Sequence, residues 1–389
     1  MPDLRASPTA HTVAPGYPAR MTPRLAILTV AMAITPALAA PDEYGYEWAV
    51  ITHPGNRDTI PEETPFRPDV PIGGVDYVFR IATTEVTVGQ WFEFVQAYAP
   101  FYDLNGIANP DFTGQSISYS FAGLYIRPNV SHQRPADMSW EYAARYCNWL
   151  HNGKVNEAWA FETGAYDTST FTFNDDGTPN HQFHRSPGAR YWIPSLDEWT
   201  KAAYYDPNRY GPGQAGYWLY PNGSNERPIG GLLPDEGGER NAGGSSQGWP
   251  IDVASFPHVK SPFGLLDAAG GMAEWLEEGP TLPVYSRLLG GSPYVDDFND
   301  EPYNADRPDY YFSMWIDGTS SWTGFRLAGA VPCLPDLDAP LGTLDQADLA
   351  AYLDLFQSAH PSADLAEPYG VLNFFDLAAY LNAFHAGCP

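Results

Sequence analysis

Two carboxylate side chains stand on either side of a Gly-Gly turn, in the segment Asp267-Ala-Ala-Gly270-Gly271-Met272-Ala-Glu274. A turn of this kind can wrap two acids around a hard cation, and calcium prefers mixed sets of oxygen ligands at ~2.4 Å. The same residues would also suit an ordinary tight turn whose two acids form salt bridges. The residues alone leave both a calcium site and a structural turn open.

Two further motifs contain residue types that catalyse reactions or bind metals. Gly244-Ser-Ser-Gln-Gly248 matches the Gly-x-Ser-x-Gly pattern of serine hydrolases, but that nucleophile needs a strand before it and a helix after it. Asn-Ala-Gly and Trp-Pro flank the motif here, which indicates a loop. Among the histidines after residue 40, only His181 and His184 are close in sequence. No third ligand stands at a metal-binding spacing, so we interpret both as surface-loop residues, and an iron site is not supported.

The elements that position these residues are three helices and a few short strands. Each helix combines a capping residue with apolar residues at helical spacing: Thr87 with Trp91, Phe94, Val95 and Tyr98; Ser139 with Trp140, Ala144, Cys147 and Leu150; and Ser195 and Glu198 with Trp199 and Ala203. Strand-like runs lie at 46–52, 77–81 and 324–327. Long segments rich in Gly, Pro and Asn separate them, which predicts an α+β fold with little regular secondary structure.

The last part of the chain contains an internal repeat. The segment 336–353 recurs 28 residues later at 364–381, and eleven of eighteen positions are identical. Each copy is an acidic turn followed by a short helix, and the two apolar faces match: Leu349, Tyr352, Leu353 and Phe356 in the first copy, Leu377, Tyr380, Leu381 and Phe384 in the second. Neither copy can bury that face alone, so we predict that they pack on each other.

The composition excludes some classes of partner. With 389 residues the chain can form two or three domains. Its 47 acidic and 20 basic residues give a net charge of -27. This charge should repel nucleic acids and anionic membranes, and it leaves carboxylates free for cations such as calcium. The 12 Trp, 25 Tyr and 20 Phe residues favour a loop-rich fold held together by large rings.

The N-terminal region has the features of an export signal. Arg24 precedes an apolar stretch over 25–34, and Ala37-Leu38-Ala39 offers a small-x-small cleavage site. The stretch is shorter than the ~20 residues of a membrane-spanning helix, and translation can begin at Met21. We therefore predict an exported protein (periplasmic, cell-surface or extracellular) without a transmembrane span. Its predicted parts are a signal region over 1–40, a large domain over 41–331 and a C-terminal module over 332–389.

Three cysteines, Cys147, Cys333 and Cys388, are present. Export brings a protein into oxidising conditions, where disulfides persist. Cys333 and Cys388 flank the repeats, whereas Cys147 belongs to the apolar stripe of a predicted helix. We therefore predict a Cys333–Cys388 disulfide, worth about 4 kcal/mol for a loop of ~55 residues, and a free, buried Cys147.

Six motifs follow one another along residues 45–330: Ile81–Trp91, Met138–Leu150, Trp192–Ala203, Phe263–Trp275, Leu289–Ser292 and Gly324–Leu327. Together they resemble the sulfatase-modifying factor family, whose best-known member is the formylglycine-generating enzyme. The resemblance implies the formylglycine-generating-enzyme fold, which is related to C-type lectins and has low regular secondary structure.

This resemblance also bears on metals. In the formylglycine-generating enzyme two cysteines after Gly-Gly-Ser bind copper, and those positions correspond to Val295 and Asp300 here. Neither residue offers the thiolate that Cu(I) requires, so copper-dependent formylglycine generation is not expected.

The family's calcium turn corresponds to Asp267, the carbonyl oxygens of Gly270 and Met272, and Glu274. The resemblance therefore favours calcium over a structural turn, although Gly271 stands where relatives usually have Asn.

The terminal repeats resemble dockerin modules, especially the dockerin-like tails ending in Gly-Cys on some exported bacterial proteins. Dockerin loops hold calcium through regularly spaced acids, and the first repeat keeps Asp336, Asp338, Asp345 and Asp348. Alternatively, Asp345 and Asn373 are helix N-caps, with Asp348 and Asp376 in the first turn. Both interpretations stay open for the first repeat, and capping is favoured in the second.

Three functions are compatible with these features. The first is a binding or structural protein that recognises a cell-surface or extracellular glycan or protein, with the tail as a possible means of surface attachment. The second is a metal-dependent oxidase of the formylglycine-generating or non-haem iron type with an unidentified substrate. The third is a silent partner that stabilises an active relative. We favour the first.

Overall fold

The computed structural model describes residues 44–102, 111–120, 123–175, 180–241, 250–278, 286–295, 305–317, 320–333, 335–337, 344–360, 363, 365–366 and 371–387. Two four-stranded sheets lie in the large domain. The first contains β1 (Trp48–Ile51), β2 (Phe79–Ala82), β12 (Ala328–Gly329) and β5 (Tyr191–Trp192) in that order, with all neighbours antiparallel. The second contains β10 (Phe312–Trp315), β9 (Ser286–Gly290), β8 (Ala273–Trp275) and β11 (Thr323–Gly324), and only its β8–β11 pair is parallel.

Two hairpin pairs supplement these sheets. One consists of β3 (Ile117–Ser120) and β4 (Gly123–Ile126), the other of β6 (Tyr205–Asp206) and β7 (Gly216–Tyr217). The strand predicted over 324–327 is replaced by the short strands β11 and β12, which belong to different sheets. The chain crosses between the sheets here, and the buried Arg326 makes side-chain contacts instead of ladder pairs.

The helices of the large domain are α1 (Val88–Tyr98), α2 (Trp140–His151), α3 (Ala158–Glu162) and α4 (Leu196–Tyr204). Helices α1, α2 and α4 begin where the sequence predicts, whereas the short helix α3 was not predicted. Capping boxes at Thr87–Gln90 and Ser195–Glu198 start α1 and α4. Ser139 holds the N-cap position of α2, but its side chain makes no capping hydrogen bond. The mixture of short helices and strands confirms the α+β expectation.

An aromatic core lies between the first sheet and helices α1 and α2. Phe94, for example, stacks on Tyr98 and makes edge contacts with Tyr146, Trp149 and Phe161. Such ring pairs contribute about 0.5–1.5 kcal/mol each beyond their burial. Cys147 is free and buried in this core, as predicted. Among the described residues, no helix is both long and apolar enough to cross a bilayer.

The C-terminal repeats form the helices α5 (Gln346–Gln357) and α6 (Phe374–Ala386). Tyr352 and Tyr380, which occupy the same position in the two repeats, stack with ring centroids 3.8 Å apart. They are the centre of a small apolar cluster that both helices supply. The prediction that the repeats pack on each other is confirmed.

Candidate functional site

Asp267 begins the predicted calcium turn in the left-handed backbone region, with a φ of 55°, which Asp and Asn tolerate best after glycine. Its Oδ2 accepts a hydrogen bond from the backbone nitrogen of Ala254 at 2.6 Å, and burial raises its pKa. Further along the turn, a Cβ on Gly270 would lie 2.5 Å from the backbone oxygen of Asn241. The turn therefore requires glycine where it meets Asn241.

Glu274, the other predicted carboxylate ligand, lies on β8 in a buried ion pair. Its Oε1 is 2.8 Å from Nη2 of Arg326, and its Oε2 accepts a hydrogen bond from Nε1 of Trp199 at 2.7 Å. Arg326 also donates to the backbone oxygens of Thr83 and Leu266. A guanidinium group thus contacts one of the two carboxylates that the sequence assigns to a cation.

A third buried carboxylate, Glu85, contacts the same turn and is missing from the sequence-based site. Its Oε1 accepts a hydrogen bond from the backbone nitrogen of Met272 at 2.6 Å, and its Oε2 has no partner among the described residues. Burial raises the pKa of Glu85 well above its usual range, the charges of Asp267 and Glu274 raise it further, and Arg326 offsets only part of this. The sequence could have pointed to Glu85 only through its place in the first family motif, shortly after β2.

Three buried carboxyl groups share one guanidinium here, and a calcium ion would supply the positive charge that allows all three to ionise. The amide group of Asn241 is also buried with neither its Oδ1 nor its Nδ2 partnered, and Asn241 forms an isolated bridge with Gly270. Within the described part of the chain, no three His, Cys, Asp or Glu side chains form a metal cluster by themselves. A calcium ion here would therefore also need backbone oxygens, such as those of Gly270 and Met272 in the family pattern.

The Gly-Gly-Ser turn leads to the positions where relatives bind copper. Ser292 donates a hydrogen bond from Oγ to Asp306, and the same Oγ accepts one from the backbone nitrogen of Gly270 at 2.9 Å. Arg240 lies 3.3 Å from the Asp306 carboxylate. Val295 is half exposed, and Asp300 lies outside the described residues. The hydroxyl of Ser292 thus joins the Gly-Gly-Ser turn to the predicted calcium turn.

A pocket of about 350 Å³ opens beside this turn, and the sequence did not predict it. Its polar walls include Arg127, Arg134 and Asp137, and Met272 and Tyr294 connect it to the two turns just described. The lining residues come from segments far apart in sequence. No local spacing could therefore have identified it.

The two neighbouring histidines take part in separate contacts. The surface-loop interpretation is wrong for His181, which is buried and stacks on the ring of Phe171 at 5.2 Å. Burial, together with Arg287, lowers its pKa to about 4. His184 has Nδ1 3.8 Å from the carboxylate of Glu277, on an exposed side chain, and that carboxylate raises its pKa. Gly244–Gly248, the hydrolase-like motif, lies outside the described residues.

The acids of the first C-terminal repeat make helix caps. Asp345 accepts a hydrogen bond from the backbone nitrogen of Ala347, and Asp348 accepts one from that of Asp345, which completes a capping box. Asp348 also accepts from the backbone nitrogen of Leu337 at 2.7 Å. Asn373 and Asp376 cap α6 in the same way. Both repeats therefore have the capping geometry that the sequence offers, and calcium binding by the first repeat stays a prediction. Of its two other predicted ligands, Asp336 precedes Leu337 and Asp338 lies outside the described residues.

The large domain matches a known protein family. Residues 46–331 match the family described as Sulfatase-modifying factor enzyme 1-like domain. Among solved structures, CarF is 18% identical with a TM-score of 0.44, over 74% of this chain and 99% of CarF. PvdO from Pseudomonas aeruginosa is 15% identical with a TM-score of 0.44, over 75% of this chain and 97% of PvdO. Treponema denticola variable protein 1 is 17% identical with a TM-score of 0.44, over 74% and 95%. No curated protein matches the chain.

Proposed function

Because the chain belongs to the family of the sulfatase-modifying factor enzyme 1-like domain, we propose that it is an exported binding protein with that fold. It recognises a cell-surface or extracellular glycan or protein and does not generate formylglycine with copper. The observation that carries this proposal is that the segment after the Gly-Gly-Ser turn lacks a copper ligand at Val295 and lies beside a pocket. Val295 stands where a copper thiolate would be needed, and a pocket large enough for a small ligand opens beside Tyr294.

Copper chemistry is tested with the purified full chain, Cu(I) and a sulfatase-type cysteine peptide. Cu(I) needs soft ligands, so we expect no copper to remain after dialysis and no conversion of the peptide by mass spectrometry. A known copper-dependent formylglycine generator serves as the positive control. Conversion of the peptide by this chain would show that the proposal is wrong.

Binding is tested on glycan and extracellular-protein arrays with the labelled full chain. We expect reproducible binding to a restricted set of ligands and little binding to nucleic acids, because the net charge of -27 repels polyanions. Elemental analysis of the same preparation supplies the counter-test. Stoichiometric iron or copper without any array binding would favour the oxidase alternative instead.

Calcium is proposed as the structural ion of the large domain, held at the turn from Asp267 to Glu274. The support is that three buried carboxyl groups, those of Glu85, Asp267 and Glu274, share the guanidinium of Arg326. When bound, the ion would supply positive charge to this buried cluster and fix the turn. The protein's own residues orient the carboxylates through backbone nitrogens at Ala254 and Met272.

The C-terminal module over 332–389 is proposed to act as a dockerin-like attachment tail, closed by a Cys333–Cys388 disulfide. Cys388 lies outside the described residues, as does the proposed export signal at 1–40. Mass spectrometry of protein secreted by the native host tests both. A mature N-terminus after Ala39 and a Cys333–Cys388 peptide under non-reducing conditions are expected, whereas retention of Met21 or a cross-linked Cys147 would contradict them.

A further inference from the structure

We propose that the pocket between Arg127 and Arg134 binds an acidic sugar, with the arginines on its carboxylate and the ring of Tyr125 on its face. This inference rests on the proposed binding function and specifies its ligand class. The pocket's volume of about 350 Å³ lies at the small end of ligand sites. It suits one or two sugar rings and is too small for a folded protein segment.

The charge of the pocket is unusual for this chain. Neither Arg127 nor Arg134 has an ion-pair partner among the described residues, although the protein carries 47 acidic residues. Arg127 donates from Nε to Oγ of Ser118 at 2.7 Å, and within the described part of the chain its two terminal nitrogens contact no acceptor. Other arginines in the described part of the chain do form ion pairs, namely Arg57, Arg145, Arg185, Arg227, Arg240, Arg307 and Arg326. Two guanidinium groups that line one pocket and form no ion pair with a described residue are therefore suited to an external carboxylate.

The pocket's own carboxylate does not neutralise these arginines. Asp137 is buried, and its oxygens accept hydrogen bonds from the backbone nitrogen of Gln115 at 2.5 Å and from Oγ of Ser116 at 3.3 Å. These contacts tie Asp137 to the start of β3 and position the hairpin. Arg127 joins the same hairpin because its backbone nitrogen donates to the oxygen of Ser116 at 3.0 Å.

An exposed aromatic ring lies on the same face of the hairpin as Arg127. Tyr125 pairs directly with Ser118 across β3 and β4, so the two side chains share a face. Arg127 reaches that face too, because it donates to Ser118. Tyr125 is 43% exposed. Tyr125 does not line the pocket itself, so its ring would provide an apolar platform for the part of the sugar that extends from Arg127 along this face of the hairpin.

The experiment compares methyl glucuronide with methyl glucoside, which share a ring and differ in the carboxylate. Isothermal titration or ligand-observed NMR on the full chain should show binding of the glucuronide and at least tenfold weaker binding of the glucoside. Arg127→Gln and Arg134→Gln should each weaken glucuronide binding about tenfold, as expected for a charged hydrogen bond. The matched control is Lys260→Gln, which removes one positive charge at an exposed residue away from the pocket.

A second pair of variants tests the ring. Tyr125→Ala should weaken glucuronide binding by about fivefold or more, and Tyr125→Phe should retain it. Melting temperatures within about 2 °C of the wild type show that each variant is folded.

Each alternative result overturns the inference. Equal binding of glucoside and glucuronide would show that the carboxylate is not recognised. Unchanged affinity in both arginine variants would show that the sugar does not bind in this pocket. Inorganic sulfate or an acidic peptide that binds as tightly as the glucuronide would show a general anion site instead of a sugar site. If the glucuronide does not bind while neutral glycans or a protein bind on the arrays, only this inference is wrong and the proposed binding function stands.

Discussion

Arg326 and Glu274 form an ion pair in which both side chains are at most 1% exposed, with Nη2 and Oε1 2.8 Å apart. The two residues are 52 positions apart in sequence, so the contact joins β8 to the segment between β11 and β12. Removing one partner of a buried pair leaves the other charge uncompensated. We expect Glu274→Gln to lower the free energy of unfolding by about 3–5 kcal/mol.

Chemical denaturation measures this loss. The matched control is Glu93→Gln, which breaks the exposed pair between Glu93 and Lys154 and should cost less than about 1 kcal/mol. A Glu274→Gln loss as small as that of the control would show that the buried pair is unimportant for stability.

The same contact decides how calcium binding should be tested. Glu274→Gln would remove a predicted calcium ligand, but this substitution also breaks the ion pair with Arg326. Asp267→Asn is the better variant, because Asn tolerates the left-handed φ of 55°. Its amide oxygen can still accept the hydrogen bond from Ala254.

We expect the wild type to melt several degrees higher in calcium than in EGTA, since free calcium at ~100 times its Kd adds about 2.7 kcal/mol. Asp267→Asn should lose most of this difference, and Asp252→Asn, at an exposed acid in the preceding loop, should keep it. Identical melting of the wild type in calcium and EGTA would contradict the calcium proposal.

Glu278 predicts a pH dependence of stability. Burial raises its pKa to about 7, and the charges of Glu277 and Glu198 act in the same direction. Its Oε2 accepts a hydrogen bond from the backbone nitrogen of Leu196 at 2.7 Å. Because the folded state binds this proton more tightly than the unfolded state, its contribution to stability is full below pH ~4.5. The contribution is lost as the pH rises to ~7.

Glu278→Gln cannot ionise and retains an acceptor for Leu196. We expect this variant to match the wild type at pH 5 and to be about 2–3 kcal/mol more stable at pH 8, at ~1.4 kcal/mol per pKa unit. Urea denaturation at both pH values measures the difference, and Glu62→Gln, at an exposed acid, is the control. A constant difference between variant and wild type from pH 5 to pH 8 would contradict the assignment.

The sequence predicts those features that depend on neighbours along the chain. The cap at Thr87, the capping box at Ser195 and the match between Tyr352 and Tyr380 each follow from spacing within one segment. Ser139 is different. The sequence predicts that it begins α2, but it does not predict that the hydroxyl is buried and makes no capping hydrogen bond. Ion pairs between residues far apart in sequence are also not predictable from local spacing. The partner of Glu274 is 52 residues away. The pocket arginines are notable because no acid among the described residues forms an ion pair with them.

The last prediction concerns the C-terminal repeats, where Tyr352 and Tyr380 contact each other's repeat symmetrically. The hydroxyl of Tyr352 donates to the backbone oxygen of Ala363 at 3.1 Å, and that of Tyr380 donates to Pro335 at 2.9 Å. Ala363 and Pro335 each immediately precede one repeat. The stacked rings and the two hydrogen bonds together hold the two helices against each other.

We expect Tyr352→Ala to destabilise the module by about 3–5 kcal/mol and to expose α5 and α6 to proteolysis, while Tyr352→Phe should cost only about 1 kcal/mol because the stack remains. Limited proteolysis with mass spectrometry locates the cuts. The large domain, whose core contains neither tyrosine, should stay protected and serves as the internal control. Protection of α5 and α6 in Tyr352→Ala equal to that in the wild type would show that the stack does not hold the repeats together.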